Sequence, residues 1–266
     1  MESERAYVGY YMDGFLQDNL DIAKSAIRKD LDMVIAVDGA EGSGKSVFTM
    51  QVAKYCDPSF TLKCVAFTAN QFRKAVIAAE PYTAVVYDEA YTGLASRAAM
   101  SIINRGLVSM LAEIRQKNLF VFIICPSFFD LDRYVALWRS RALLHVYMLK
   151  GFVKGQFRFY SYDNKIRLFV DGKKYYSYNP KLASFHGSFI NHYVVDEAEY
   201  RQLKRNALSS REVKREEQEQ MREVEDKLFE RVMSMDIPHA ERIRILQMPS
   251  STYFGRLKRM QDGDIA

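Results

Sequence analysis

Apolar residues change their period several times along the chain. Leu20, Ala23, Ile27 and Leu31 recur at helical spacing, which predicts a lead-in helix, with Asp18, Asn19 or Asp21 available as its cap. Met33 to Val37 is a short apolar run that reads as a buried strand. Residues 44–54 then read as helix, Leu62 to Phe67 as strand and Asn70 to Ala79 as helix. Ala84 to Tyr87 is a third strand, ending in Asp88 and Glu89. A long helical pattern covers 97–117. Leu119 to Ile124 and Leu143 to Met148 complete five strands. Strands alternating with helices predict an α/β fold with a mainly parallel sheet and helices on both faces.

Near residue 150 the pattern shifts. Residues 152–178 are dense in aromatic and β-forming residues, and Asp163-Asn164 and Asp171-Gly172 punctuate them as turns. This predicts a β-meander of two hairpins. Residues 196–208 read as helix, and 211–235 as an amphipathic, highly charged helix that Pro238 ends. The organisation expected is a core over 1–150, a β-rich extension with a helix over 151–208, and a charged helix with a small helical tail over 209–266.

Composition narrows the class. Half-apolar content (48%) with 27% charged residues is that of a globular protein, and Lys+Arg 38 against Asp+Glu 33 gives a mild +5. That charge permits a nucleic-acid partner without demanding one. No apolar run approaches the roughly 20 residues of a membrane helix, and the first residues lack a secretory pattern, so a cytoplasmic protein with no membrane span is expected. Cys56, Cys64 and Cys125 are an odd set without metal spacing, which suits free thiols. His145, His186, His192 and His239 also lack ligand spacing and are assigned structural or surface places.

The chemistry concentrates at Gly39-Ala40-Glu41-Gly42-Ser43-Gly44-Lys45-Ser46, a GxxxxGK[ST] sequence between a predicted strand and a predicted helix. Glycines let backbone N–H groups turn inward around phosphates, and the helix N-terminus adds positive potential. Lys45 is the candidate ligand of the outer phosphates of ATP, and the Ser46 hydroxyl that of Mg²⁺. Asp88, at the end of an apolar strand, is the second candidate Mg²⁺ holder. Glu89 is the candidate that polarises the attacking water, which favours hydrolysis over transfer. Such hydrolysis calls for a further positive charge, for which Arg97, Arg105 and Arg115 are available. Arg115, just before the fourth strand, is the candidate finger reaching a neighbouring subunit's nucleotide; the alternative is a surface pairing with Glu113. Ser127, after the fourth strand, is either a γ-phosphate sensor or a helix cap.

The order of these motifs resembles a known group. A phosphate loop, an Asp-Glu strand, a long helix ending in Glu113-Ile114-Arg115-Gln116-Lys117, and a strand ending in Cys125-Pro126-Ser127 are similar to the additional-strand P-loop motors of the FtsK–HerA group. That group includes viral and phage genome-packaging ATPases and Zot-like ATPases, and the resemblance covers roughly residues 33–148. It implies a RecA-like P-loop NTPase core. It also implies a homo-oligomeric ring of five or six subunits, ATP hydrolysis with Mg²⁺ at subunit interfaces, and translocation of double-stranded DNA. For a virus, a portal or capsid protein in the host cytoplasm is a further implied partner. Many members carry Gln where this chain has Pro126 and Ser127, a departure that bears on the sensor. Two other readings stand beside it: a DNA-binding loader or partition-type switch, and a Zot-like assembly or secretion ATPase with protein cargo.

Two basic surfaces follow from the charge pattern. Residues 152–178 carry six basic residues against Asp163 and Asp171, interleaved with aromatics, so Lys173 and Lys174 are candidate DNA contacts. An ordinary half-buried sheet with a basic outer face explains the same pattern. The tail reads as helix, turn and basic helix, like a helix-turn-helix, with Arg256, Lys258 and Arg259 as candidate DNA contacts. A helical hairpin for oligomer contact is the alternative.

Overall fold

The computed structural model describes residues 9–88, 111 and 114–261. The chain divides into two compact units, 1–207 and 208–266. The first is built on β1 (Met33–Gly39), β2 (Val65–Ala66), β3 (Ala84–Asp88), β4 (Phe120–Ile124), β5 (Ala142–Leu149), β6 (Val153–Tyr160) and β7 (Phe185–Ser188). These form one seven-stranded sheet in the order β2-β3-β4-β1-β5-β6-β7. β1 to β5 pair in parallel, while β6 and β7 add antiparallel strands beyond β5. The fold is α/β, a mostly parallel sheet flanked by helices.

The near-continuous apolar strands are those of a sheet covered on both faces. Their alternate residues feed two cores. Ile35, Val37, Val86, Phe122, Leu144 and Phe157 face one side, with residues of α1 (Gly14–Ile27) and α2 (Lys45–Cys56). Val34, Ala36, Val85, Tyr87, Val121, Ile123 and Leu143 face the other, with Phe72 and Val76 of α3 (Ala69–Ala78) and with Leu168 and Phe169. On the first face Phe48 of α2 packs between Phe157, tilted to it, and Phe189, stacked on it, at 4.7 and 4.5 Å between ring centroids. Each such buried ring contributes about 1.5–3 kcal/mol.

Several local expectations change. Asp13, not a later residue, caps α1 by accepting from Leu16 N, and Leu31 lies beyond its end. The strand expected over 62–67 is reduced to β2 behind a 3₁₀ turn at Leu62–Cys64. Most of the helix expected over 97–117 lies outside the described residues, and Ile114–Lys117 form a 3₁₀ turn.

The β-meander does not form. Residues 152–178 give β6, which joins the main sheet, and then α4 (Tyr162–Gly172). The aromatic content suggested strands, but Lys165, Leu168, Phe169 and Gly172 have helical spacing, and all four are buried. Gly172 is the buried end of this helix and not a hairpin turn. A Cβ there would lie 2.4 Å from Ser177 O.

The helices expected over 196–208 and 211–235 are one, α5 (Glu197–Met233). No glycine or proline interrupts these residues. The second unit comprises the later part of α5, α6 (His239–Leu246) and α7 (Ser250–Gln261). Phe229, Val232 and Tyr253 are buried in it. The Tyr253 hydroxyl lies 2.7 Å from His239 Nδ1, and Gln247 at φ 48° ends α6 before the turn. The small tail therefore draws its core from the preceding helix, as a unit of this size must. Among the described residues no helix is long and apolar enough to cross a membrane.

Candidate functional site

The glycine-rich loop leaves the carboxyl end of β1, a central strand, and opens α2. Gly39 pairs with Val146 of β5, at φ 140°. A Cβ at Gly39 would sit 1.9 Å from the Val146 carbonyl oxygen, so only glycine lets β1 turn while still paired. Gly44, at φ 99°, is the N-cap of α2 and supplies no side-chain hydrogen bond to the positive end of the helix. The Ser43 hydroxyl is buried in the loop and has no hydrogen-bond partner among the described residues. Lys45 folds back, its Nζ donating to Gly39 O at 2.6 Å and Ala40 O at 2.8 Å. Burial lowers its pKa, against the opposing pull of Cys125, Asp38 and Asp88.

Alternation in β3 places Asp88 on the α2 side of the sheet, where it is almost fully buried. It meets Ser46 through a shared cation. Lys204 Nζ lies 3.3 Å from Ser46 Oγ and 3.2 and 3.1 Å from the Asp88 carboxylate oxygens. Tyr200, one turn earlier on α5, donates its hydroxyl to Asp88. Burial and the charge of Asp88 push the Tyr200 pKa far up, so it remains a donor. The start of α5 is itself held on α2. Gln51 Nε2 donates to Ile190 O at 2.8 Å and His192 O at 2.7 Å, on the segment leading into α5.

A second polar network lies on the opposite face, beneath the loop. Asp38, fully buried in β1, accepts from Phe128 N at 2.8 Å and from the Tyr178 hydroxyl, and sits 2.8 Å from His145 Nδ1. The His145 ring stacks on Tyr178 at 3.9 Å. Parallel register makes Asp38 and His145 direct neighbours across β1 and β5.

The expected residues thus fall into groups. Gly39 to Ser46 form the loop, with Ala40, Glu41 and Gly42 exposed, and Ser46 and Asp88 converge. Ser127 does not join them. It caps the Phe128–Asp130 turn through Phe129 N and lies 3.1 Å from the Tyr178 hydroxyl. Glu89, Arg97 and Arg105 lie outside the described residues, as do the side chains of Arg115 and Arg259. Lys173 and Lys174 are exposed just after α4, each over an aromatic ring, Phe169 at 4.4 Å and Tyr175 at 5.0 Å. Arg256 is committed within its own unit, to Asp226 and to the Phe229 ring at 4.8 Å, whereas Lys258 is exposed.

Tyr200 and Lys204 are not among the residues that the sequence singles out; they stand more than 100 positions from Asp88. Their four-residue spacing on a helix was the one available signal. Asp38 and Tyr178 are likewise not singled out. A charged residue closing an apolar strand just before Gly39 was the signal there.

Ser46 and Asp88 fit a metal ion by their donor chemistry: a hydroxyl and a carboxylate already share a cation. Among the described residues, no group of three or more His, Cys, Asp or Glu side chains converges as a metal site. No protein-family model matches the chain, and no curated protein matches it.

Proposed function

We propose that the protein is an ATP-hydrolysing motor that translocates or packages double-stranded DNA of a virus, phage or mobile element. The observation carrying this reading is the placement of the Gly39–Ser46 loop between β1 and α2, with Ser46 converging on Asp88 of β3. The strand order fits an α/β fold of this kind: β4 lies between the loop strand and the acid strand.

In this reading the loop amides and the end of α2 bind the phosphates. Lys45 exchanges the Gly39 and Ala40 carbonyls for phosphate oxygens. Ser46 and Asp88 would hold Mg²⁺, which when bound neutralises phosphate charge. Glu89 takes the role of orienting and polarising water. Arg115 of a neighbouring subunit supplies positive charge as the bond breaks, which calls for a ring. Exposed Lys173, Lys174 and Lys258 are the DNA-contact candidates that keep free faces, and Arg256 contributes by holding the tail's core together.

The test is the ATPase rate without DNA, with single strands and with duplex, alongside assembly state. Duplex-stimulated turnover that Lys45→Ala abolishes is expected. Full turnover in Lys45→Ala would remove the site assignment. Turnover indifferent to DNA would favour a protein cargo, and stimulation without displacement of a duplex-bound roadblock would favour a switch.

A further inference from the structure

Lys204 stands between the two side chains assigned above to the metal. Its ammonium contacts Ser46 Oγ, both Asp88 oxygens and the Tyr200 hydroxyl at 3.1–3.3 Å. An ammonium and a divalent cation seek the same oxygen lone pairs. Asp88 has few left to offer, since it is nearly buried and also accepts from Tyr200. Tyr200 and Lys204 share one face of α5, four residues apart, so they engage or leave Asp88 together. The segment before them is fastened to α2 by Gln51, and Phe189 stacks on Phe48. The helix that the loop opens and the helix that carries Lys204 are thus joined outside the cation seat as well as across it.

We propose that Lys204 is a built-in cation that closes the metal seat. Divalent metal gains Ser46 and Asp88 only when the Tyr200–Lys204 face of α5 disengages, so metal-dependent nucleotide binding is conditional on the position of this helix. The inference rests on the nucleotide reading above and adds a control on it. Apparent affinity then falls with the fraction of molecules in the open arrangement.

The test uses the full chain and a fluorescent ATP analogue, titrated with saturating Mg²⁺ and again with excess chelator. Mg²⁺ is also titrated at fixed analogue. Lys204→Met is expected to tighten Mg²⁺-dependent binding by about tenfold, as for a seat closed in about nine molecules of ten. It also lowers the Mg²⁺ midpoint, without tightening chelated binding. Tyr200→Phe moves both in the same direction by a smaller factor, and decides the matter alone if Lys204→Met does not fold. Unchanged or weakened Mg²⁺-dependent affinity in these variants overturns the closure; a weakened one makes Lys204 a nucleotide ligand. If wild-type binding depends on Lys45 while the variants match wild type, only the closure falls. If neither the wild type nor any variant binds the analogue, the nucleotide reading falls with it.

Discussion

Replacing Asp38 separates the worth of its charge from that of its hydrogen bonds. In Asp38→Ala, His145 Nδ1 loses its carboxylate partner at 2.8 Å. Phe128 N–H keeps a partner in the Tyr178 hydroxyl at 3.1 Å, and Tyr178 keeps Ser127 Oγ at 3.1 Å. The loss is therefore less than three orphaned groups. One lost buried partner, a weakened pair of bonds and a small cavity suggest about 2–4 kcal/mol. In Asp38→Asn the amide oxygen can replace the carboxylate oxygen facing Phe128 N and Tyr178. The amide nitrogen then faces His145 Nδ1, which can accept if the ring proton sits on Nε2. The expected loss is about 1–2 kcal/mol. Urea unfolding at about pH 8, above the ordinary histidine range, should rank wild type above Asn above Ala at equal m-values. Equal losses in the two variants, or losses below about 0.5 kcal/mol in both, would refute the network as a support of the β1 end.

Gly39→Ala should cost more than overpacking alone, commonly about 1–3 kcal/mol, because the new Cβ meets backbone oxygen at 1.9 Å and φ is 140°; a melting temperature within error of wild type would contradict this. Asp32→Ala should destabilise by about 3–5 kcal/mol, since the buried Arg139 guanidinium loses both Asp32 oxygens and, among the described residues, keeps Leu111 O alone. Replacing both by apolar residues should recover much of that loss in the same denaturant assay. Lys165 is buried, donates to Ala136 O and Leu137 O at 2.7 and 2.9 Å, and has its pKa pushed down to about 7 by burial. Its folded pKa lies below its unfolded one, so the unfolded chain binds more protons between about pH 7 and 10. The penalty is full below that window and fades as pH rises through it. Lys165→Met should therefore flatten the rise in stability across this window relative to wild type, and parallel pH curves would refute it.

What was legible in the sequence was what local pattern dictates. Met33–Val37, Ala84–Tyr87 and Leu119–Ile124 read as strands because both faces are covered and the runs are continuously apolar. The loop was legible because only glycine serves at Gly39 and Gly44. Residues 162–172 were misread because tyrosines, phenylalanine and a DG pair carry strand signals, while the helix depends on burial of Lys165, Leu168 and Phe169 against residues elsewhere in the chain. The two helices expected over 196–208 and 211–235 form one because a change of composition need not be a change of backbone. Tyr200 and Lys204 show only a helical spacing, and nothing local to them records that Asp88 lies beside them.

The sheet's two borders bear on how copies of this chain can meet. Among the described residues the border strands are short, two residues in β2 and four in β7, so each offers a backbone edge too short to template a further strand. Strands β1, β4 and β5 lie inside the order, with both neighbours already in place. Subunits are thereby discouraged from fusing sheet to sheet, the route to irregular, open-ended aggregates. If copies assemble as proposed above, the paired interior strands are not free to join them, which leaves other surfaces for the contact.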